Sequence, residues 1–147
     1  MLRSMVLRFA LGVALAAALA APITTARADD PPRRVFKPTP MTIKVPPAKV
    51  GQRVTIPVVF RAWEGWSIRP DFPMGMRLFP PESITAEQLI YKNEDALLEP
   101  DQGRIDVAVT PYQAGKIVIT AVLTFGVFKE HAQDIEIAKV SIEVDAE

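Results

Sequence analysis

The sequence predicts an all-β domain built as a β-sandwich. Three observations carry this. Residues 41–147 contain several runs in which β-branched and other apolar residues alternate with polar ones. Pro- and Gly-containing breaks separate those runs at short intervals. Little of the chain has the period of an amphipathic helix. Five to eight short strands joined by turns read as two packed antiparallel sheets.

Taken in order, Met41 to Val45 is a short alternating strand. Pro46, Pro47 and Gly51 make the turn that follows it. Arg53 to Ala62 is a strand with Val54, Ile56, Val58 and Phe60 on one face. Pro57 within it has no N–H for a ladder, so this strand belongs at a sheet edge or carries a bulge. Trp63 to Pro81 is irregular and rich in Pro, Gly and aromatics. Thr85 to Tyr91 is open between a short helix and a strand. Arg104 to Thr110 alternates with Ile105, Val107 and Val109 inward, and Pro111 to Gly115 is a turn. Lys116 to Val127 is a long β-branched strand, and Ile135 to Val144 is the last. In that last strand Ile135 and Ile137 share one parity, while Val140, Ile142 and Val144 share the other. A slip of one residue turns side chains to the opposite face, so a bulge is expected near Ala138-Lys139.

Ahead of the domain, residues 1–28 have the parts of a secretory signal. Arg3 and Arg8 form a positive n-region, Phe9 to Ala21 is apolar, and Ala26-Arg27-Ala28 places small residues for cleavage after Ala28. The apolar run is shorter than the roughly 20 residues that span a bilayer. The expectation is a periplasmic protein, a Pro-rich extended lead over 29–40, and one domain over 41–147. Loss of Arg3, Arg8 and Arg27 leaves 14 basic and 17 acidic residues, interspersed. No basic stripe suits nucleic acid. Arg33, Arg34 and Lys37 read as part of a solvated tail rather than a docking arm. The chain has no cysteine.

Gly65-Trp66-Ser67-Ile68, after a strand and before a Pro-rich segment, resembles the Gly-Trp motif of the N-terminal domain of the thiol:disulfide interchange protein DsbD. The closing stretch LTFGVFKEHAQDIEIAKVSIEV, Leu123 to Val144, resembles that family's closing hairpin. The resemblance covers roughly Met41 to Val144 and implies an immunoglobulin-like sandwich. In the family two cysteines flank this hairpin. Here Phe128 stands at the first position and Gln133 or a neighbour at the second, and Ser67 replaces the family's usual His. Disulfide exchange needs a thiolate, so the family's redox activity is not carried over. What the resemblance implies is a cysteine-less relative: a non-enzymatic, exported protein-interaction module whose partner is another periplasmic or membrane protein.

The candidate contact residues are Trp63, Trp66, Phe72, Phe128 and His131. Trp63, Trp66, Phe72 and Phe79 crowd the Pro-rich segment; one or two of them are expected to plug the core. Packing is the favoured reading of the others as well; an exposed patch of them would mark an interface. His131, the only histidine, has Glu130 and Asp134 near it in sequence but no nucleophile to serve, so no catalytic residue is assigned. The alternative function is copper binding by Met41, Met74, Met76 and His131, since thioether and imidazole suit that metal. Packing of the methionines in an irregular core competes with it. Glu94, Asp95, Glu99 and Asp101 lack the spacing of a calcium loop and read as solvated. No cofactor is expected. An extended partner segment could also add to the edge bearing Pro57 or to the opposite edge.

Overall fold

The computed structural model describes residues 39–147; the signal and most of the Pro-rich lead lie outside the described residues. Ten strands form two sheets, in chain order β1 (Thr39–Lys44), β2 (Val54–Arg61), β3 (Ser67–Ile68), β4 (Gly75–Phe79), β5 (Ile84–Ala86), β6 (Ile90–Lys92), β7 (Ala96–Leu98), β8 (Gln102–Pro111), β9 (Gly115–Lys129) and β10 (Ala132–Ala146). The strands beyond the expected number are pieces of two or three residues. One sheet runs β1-β10-β9-β4-β6, with β3 on the far end of β9; the other runs β2-β8-β5, with β7 also on β8. This is an immunoglobulin-like β-sandwich, in which the first strand leaves the second sheet and runs parallel to the last.

The inner faces interdigitate as the alternation predicts. Ile56, Val58 and Phe60 from β2 and Ile105, Val107 and Val109 from β8 meet the odd residues Ile117 to Val127 of β9 and the even residues Ala138 to Ala146 of β10. Pro57 sits opposite Asp106 on β2, an edge strand, where its missing N–H costs no central ladder bond. The connection from β1 to β2 is pinned to both sheets: Ala48 N donates to Asp145 O at 2.8 Å and Gly51 N to Pro111 O at 2.7 Å. Gly51 has φ 80°, a conformation that costs glycine little.

Four expectations need correction. There is no bulge near Ala138-Lys139: β10 pairs with β9 without a break from Ala132↔Lys129 to Ala146↔Gly115. The parity change is real but is met differently. Ile135 is turned outward and the buried inward position is filled by Glu136. The open segment 85–91 is neither one helix nor one strand, because it crosses between sheets: β5 pairs with β8 and β6 with β4. A single 3-10 turn, Asn93–Asp95, then returns the chain to β7. None of Trp63, Trp66, Phe72 and Phe79 is fully buried; Trp66 packs partly against the core. The core aromatics are Phe60, Phe125 and Tyr91. Phe60 and Phe125 stand 4.7 Å apart and bridge β2 and β9, the two strands that the inter-sheet disulfide joins in antibody domains. Phe60 lies over Gly103, its cross-strand partner, where an added Cβ would fall 2.1 Å from the ring. Finally, β1 begins at Thr39, so the last two residues of the expected lead are strand.

Candidate functional site

Most of the sequence-predicted contact residues gather at one end of the sandwich. Phe128 is the penultimate residue of β9, and β9 and β10 are joined there by Glu130-His131. The loop from β2 to β3 comes to the same place. Trp66 N donates to Trp63 O at 2.9 Å, with Gly65 at φ 78°. That is a β-turn with glycine where positive φ is required. β3 then pairs Ser67 with Phe128 and Ile68 with Val127. Ile68 N also reaches Pro100 O at 2.8 Å, bringing in the loop between β7 and β8.

The segment from Arg69 to Met74 has no ladder of its own, and Asn93 supplies one. Its Nδ2 donates to Phe72 O at 2.8 Å and its Oδ1 accepts from Met74 N at 2.9 Å. Arg69 N donates to Gly126 O at 2.9 Å. These bonds lay Phe72 on the outer face of β9 at Gly126, where an added Cβ would meet its ring at 2.5 Å. Ile135 is the cross-strand partner of Gly126, and Gln133 that of Phe128. The result is a cleft of about 280 Å³ lined by Phe72, Ile135, Arg69, Gln133 and Asp134 over Gly126 and Val127, with Phe128 outward beside it. The Arg69 guanidinium pairs with Asp71 and stands 5.9 Å from the Phe128 ring centre, within cation–π range. That ion pair holds the Asp71 carboxyl below its ordinary value, chiefly through the hydrogen bond from Arg69.

Trp63 and Trp66 form an edge-to-face pair at 5.7 Å. Both are half-buried, so they line this end without plugging the core. Trp63 lies near the carboxyl of Glu136 and favours its charged form. Glu136 is 6 % exposed, and its Oε2 has no hydrogen-bond partner. Burial pushes its carboxyl up to about 7, and Trp63 opposes the rise. Sequence reasoning missed Glu136 as a site residue. The signal was present, since Glu136 shares the inward parity of Val140, Ile142 and Val144. Arg69, Gln133 and Ile135 were missed because only pairing and the Asn93 clamp bring them to the cleft.

His131 lies exposed at the hairpin tip beside Glu130, which has φ 53°. The copper candidates are not brought together. Met74 and Met76 are core side chains, Met41 pairs with Val140 on the far side of β10, and His131 is at the tip. The acidic stretch is likewise engaged locally: Asp95 Oδ2 accepts from Lys92 N at 2.8 Å and Gln88 Nε2 at 3.0 Å. Among the described residues no group of three or more His, Asp or Glu is arranged to hold a metal ion. A larger groove, about 510 Å³, lies between the edge strands β1 and β2 and is lined by Lys44, Gln52, Arg53 and Thr55 among others. It holds none of the aromatic contact candidates and not His131, but Pro57, on an edge expected to accept a partner strand, lines it. Arg53 there is paired with Glu87.

No family model and no curated protein matches this chain. Solved structures similar to it include PbICP-C in complex with falcipain-2, at 17% identity over 76% of this chain and 92% of that one, with a TM-score of 0.35. The periplasmic chaperone SfaE aligns at 5% identity over 75% of this chain and 56% of that one, also at 0.35. An endo-fucoidan hydrolase of glycoside hydrolase family 107 aligns at 14% identity over 77% of this chain and 14% of that one, at 0.30. Likenesses of this size assign neither family nor activity.

Proposed function

We propose that this chain is an exported protein-binding module whose contact face is the outward cluster of Phe72, Phe128 and Ile135, flanked by the Trp63–Trp66 turn and the His131 hairpin tip. The observation that carries the reading is the cluster itself. Phe72 and Ile135 line one cleft, and Phe128 stands beside it next to Arg69, on a sheet face that normally presents polar residues to water. Such patches mark interaction sites, and aromatic residues beside an arginine are the side chains that dominate binding energy.

The resemblance to the DsbD N-terminal domain is part of the proposal. It is supported by the pairing of Phe128 directly with Gln133 across the closing hairpin. Opposed positions in an antiparallel pair bring Cα atoms to about 4.5–5.5 Å, a separation a disulfide spans. A chain with Phe and Gln there retains the surface and not the dithiol. Binding to a periplasmic or membrane protein is the activity left to it.

A photo-crosslinking residue at Phe128, at Ile135 and, as control, at Val118 on the same sheet face tests the contact. The expected result is a discrete protein adduct from the first two positions and none from the third. Adducts from Val118 alone, or from no position, overturn it. Phe128→Cys combined with Gln133→Cys tests the resemblance separately. A disulfide forming under mild oxidation supports it, and two thiols that stay free end it.

A further inference from the structure

We propose that residues 34–38, which lie outside the described residues, continue β1 toward the amino terminus along the open half of β10 and set Lys37 beside Glu136. The inference concerns the chain alone and holds whether or not the outward cluster binds a partner.

One edge of β10 is only half covered. β9 pairs with the whole strand, from Ala132 to Ala146. On the other side β1 pairs only from Thr39↔Ala138 to Lys44↔Glu143. Among the described residues no strand lies along Ala132 to Ile137 on that side. Such an edge presents backbone N–H and C=O groups that need partners. Val45 N donates to Glu143 O at 3.0 Å, so odd residues of both strands carry the bonds of this ladder. Backbone groups alternate in direction along a strand, so Ile135 and Ile137 aim their N–H groups at the open edge. The Ile135 N–H bonds to the side chain of Asp134 at 2.9 Å and not to a strand.

The sequence ahead of Thr39 fits this edge. The parallel register of β1, carried backward, sets Pro38 at Ile137, Lys37 at Glu136, Phe36 at Ile135 and Val35 at Asp134. Lys37 and Val35 then have the parity that bonds to β10, as Thr39, Met41 and Ile43 do. Pro38 has the other parity, with its missing N–H on the far side, where no ladder asks for it. Pro40 already stands at such a place within β1, opposite Lys139. The same parity sorts the side chains. Met41 and Ile43 pack against the core, so Lys37 falls at an inward position with Glu136 and Phe36 at an outward one with Ile135. Glu136 is buried, and its Oε2 has no partner among the described residues. A lysine ammonium brings three donors and the opposite charge to that acceptor. Ile135 is turned outward and exposed, and an aromatic neighbour on the next strand covers such a residue.

The test is amide hydrogen exchange of the full chain at pH 8, read at Ile135 and Ile137. The expected result is protection of both to the level of Lys139, which β1 already covers. Lys37→Pro removes an N–H that the ladder uses and should speed exchange at both sites about tenfold. Phe36→Pro removes one that the ladder does not use and should speed it far less. Lys37→Glu sets like charge beside Glu136 and should act as Lys37→Pro does. All three changes lie ahead of the described domain, and exchange at Ile119 in the core checks that the domain stays folded. Unprotected amides at Ile135 and Ile137 in the parent chain, or equal effects of the two prolines, overturn the added strand. No effect of Lys37→Glu overturns the pairing with Glu136. Protection that rises with chain concentration assigns the edge to a second copy and overturns docking within one chain.

Discussion

The two halves of β10 differ although they share one unbroken ladder. From Ala138 to Ala146 every inward residue is apolar and buried, and β1 covers the other edge from Ala138 to Glu143. From Ala132 to Ile137 the inward position is Glu136, while Ile135 is 38 % exposed on the outer face. The first half is ordinary sandwich core. The second gives up apolar burial twice, once by facing an isoleucine to solvent and once by burying a carboxyl. A bulge would have corrected both. Its absence means that the register is held by the fifteen-residue pairing with β9.

Substitutions in the two halves should therefore diverge. Ile142→Ala removes a fully buried side chain and should cost about 3 kcal/mol in urea unfolding, whereas Ile135→Ala should cost about 1 kcal/mol or less. Equal costs would erase the distinction between the halves.

Glu136 sharpens the same comparison through pH. Its folded-state value of about 7 lies above the ordinary 4.5, so the native state holds the proton more tightly than the unfolded chain. Its stabilising contribution is complete below about 4.5 and is lost as pH rises through about 7. The loss corresponds to about 3 kcal/mol. Glu136→Gln should thus unfold at higher urea than the parent at pH 8.5, with the advantage gone at pH 4. A constant difference at both pH values would mean that the carboxyl is not held as described.

Gly126→Ala probes the outer side of the second half. Its Cβ would meet the Phe72 ring at 2.5 Å, so Phe72 must leave the sheet, at a cost of about 1–2 kcal/mol. Crosslinking through Phe128 should fall with it. If stability and crosslinking are unchanged, Phe72 does not seal the cleft. The smallest effect is expected at the hairpin tip. Glu130 at φ 53° occupies a conformation that favours glycine, and Glu130→Gly should stabilise by about 0.5 kcal/mol. A loss of stability would show that the Glu130 side chain is itself engaged.

Much of the fold was legible. Val54, Ile56, Val58 and Phe60, Ile105, Val107 and Val109, and the long run from Lys116 to Val127 face as their alternation requires, because a period of two is intrinsic to a pleated strand. Pro57 restricted its strand to an edge or a bulge through its missing donor, and the structure places it at the edge. Segment 85–91 was not legible, because a crossing between sheets depends on which ladder each half finds. The site was half legible. Phe128 and Phe72 stood out as large apolar residues, and Trp63 as an aromatic beside a turn. Gly126, Asn93 and Arg69 carry no local mark of their roles.

By itself the sequence determined the class of fold, the parity of the main strands and the absence of cysteine, since these follow from residue type and local spacing. Tertiary structure alone decided that β10 keeps its register through the parity change, that Glu136 is buried against Trp63, and that Phe72 comes to rest on Gly126. Each of these is a choice between competing long-range contacts. The pairing energy of a fifteen-residue ladder outweighs the cost of one buried carboxyl, and no window of sequence contains both terms.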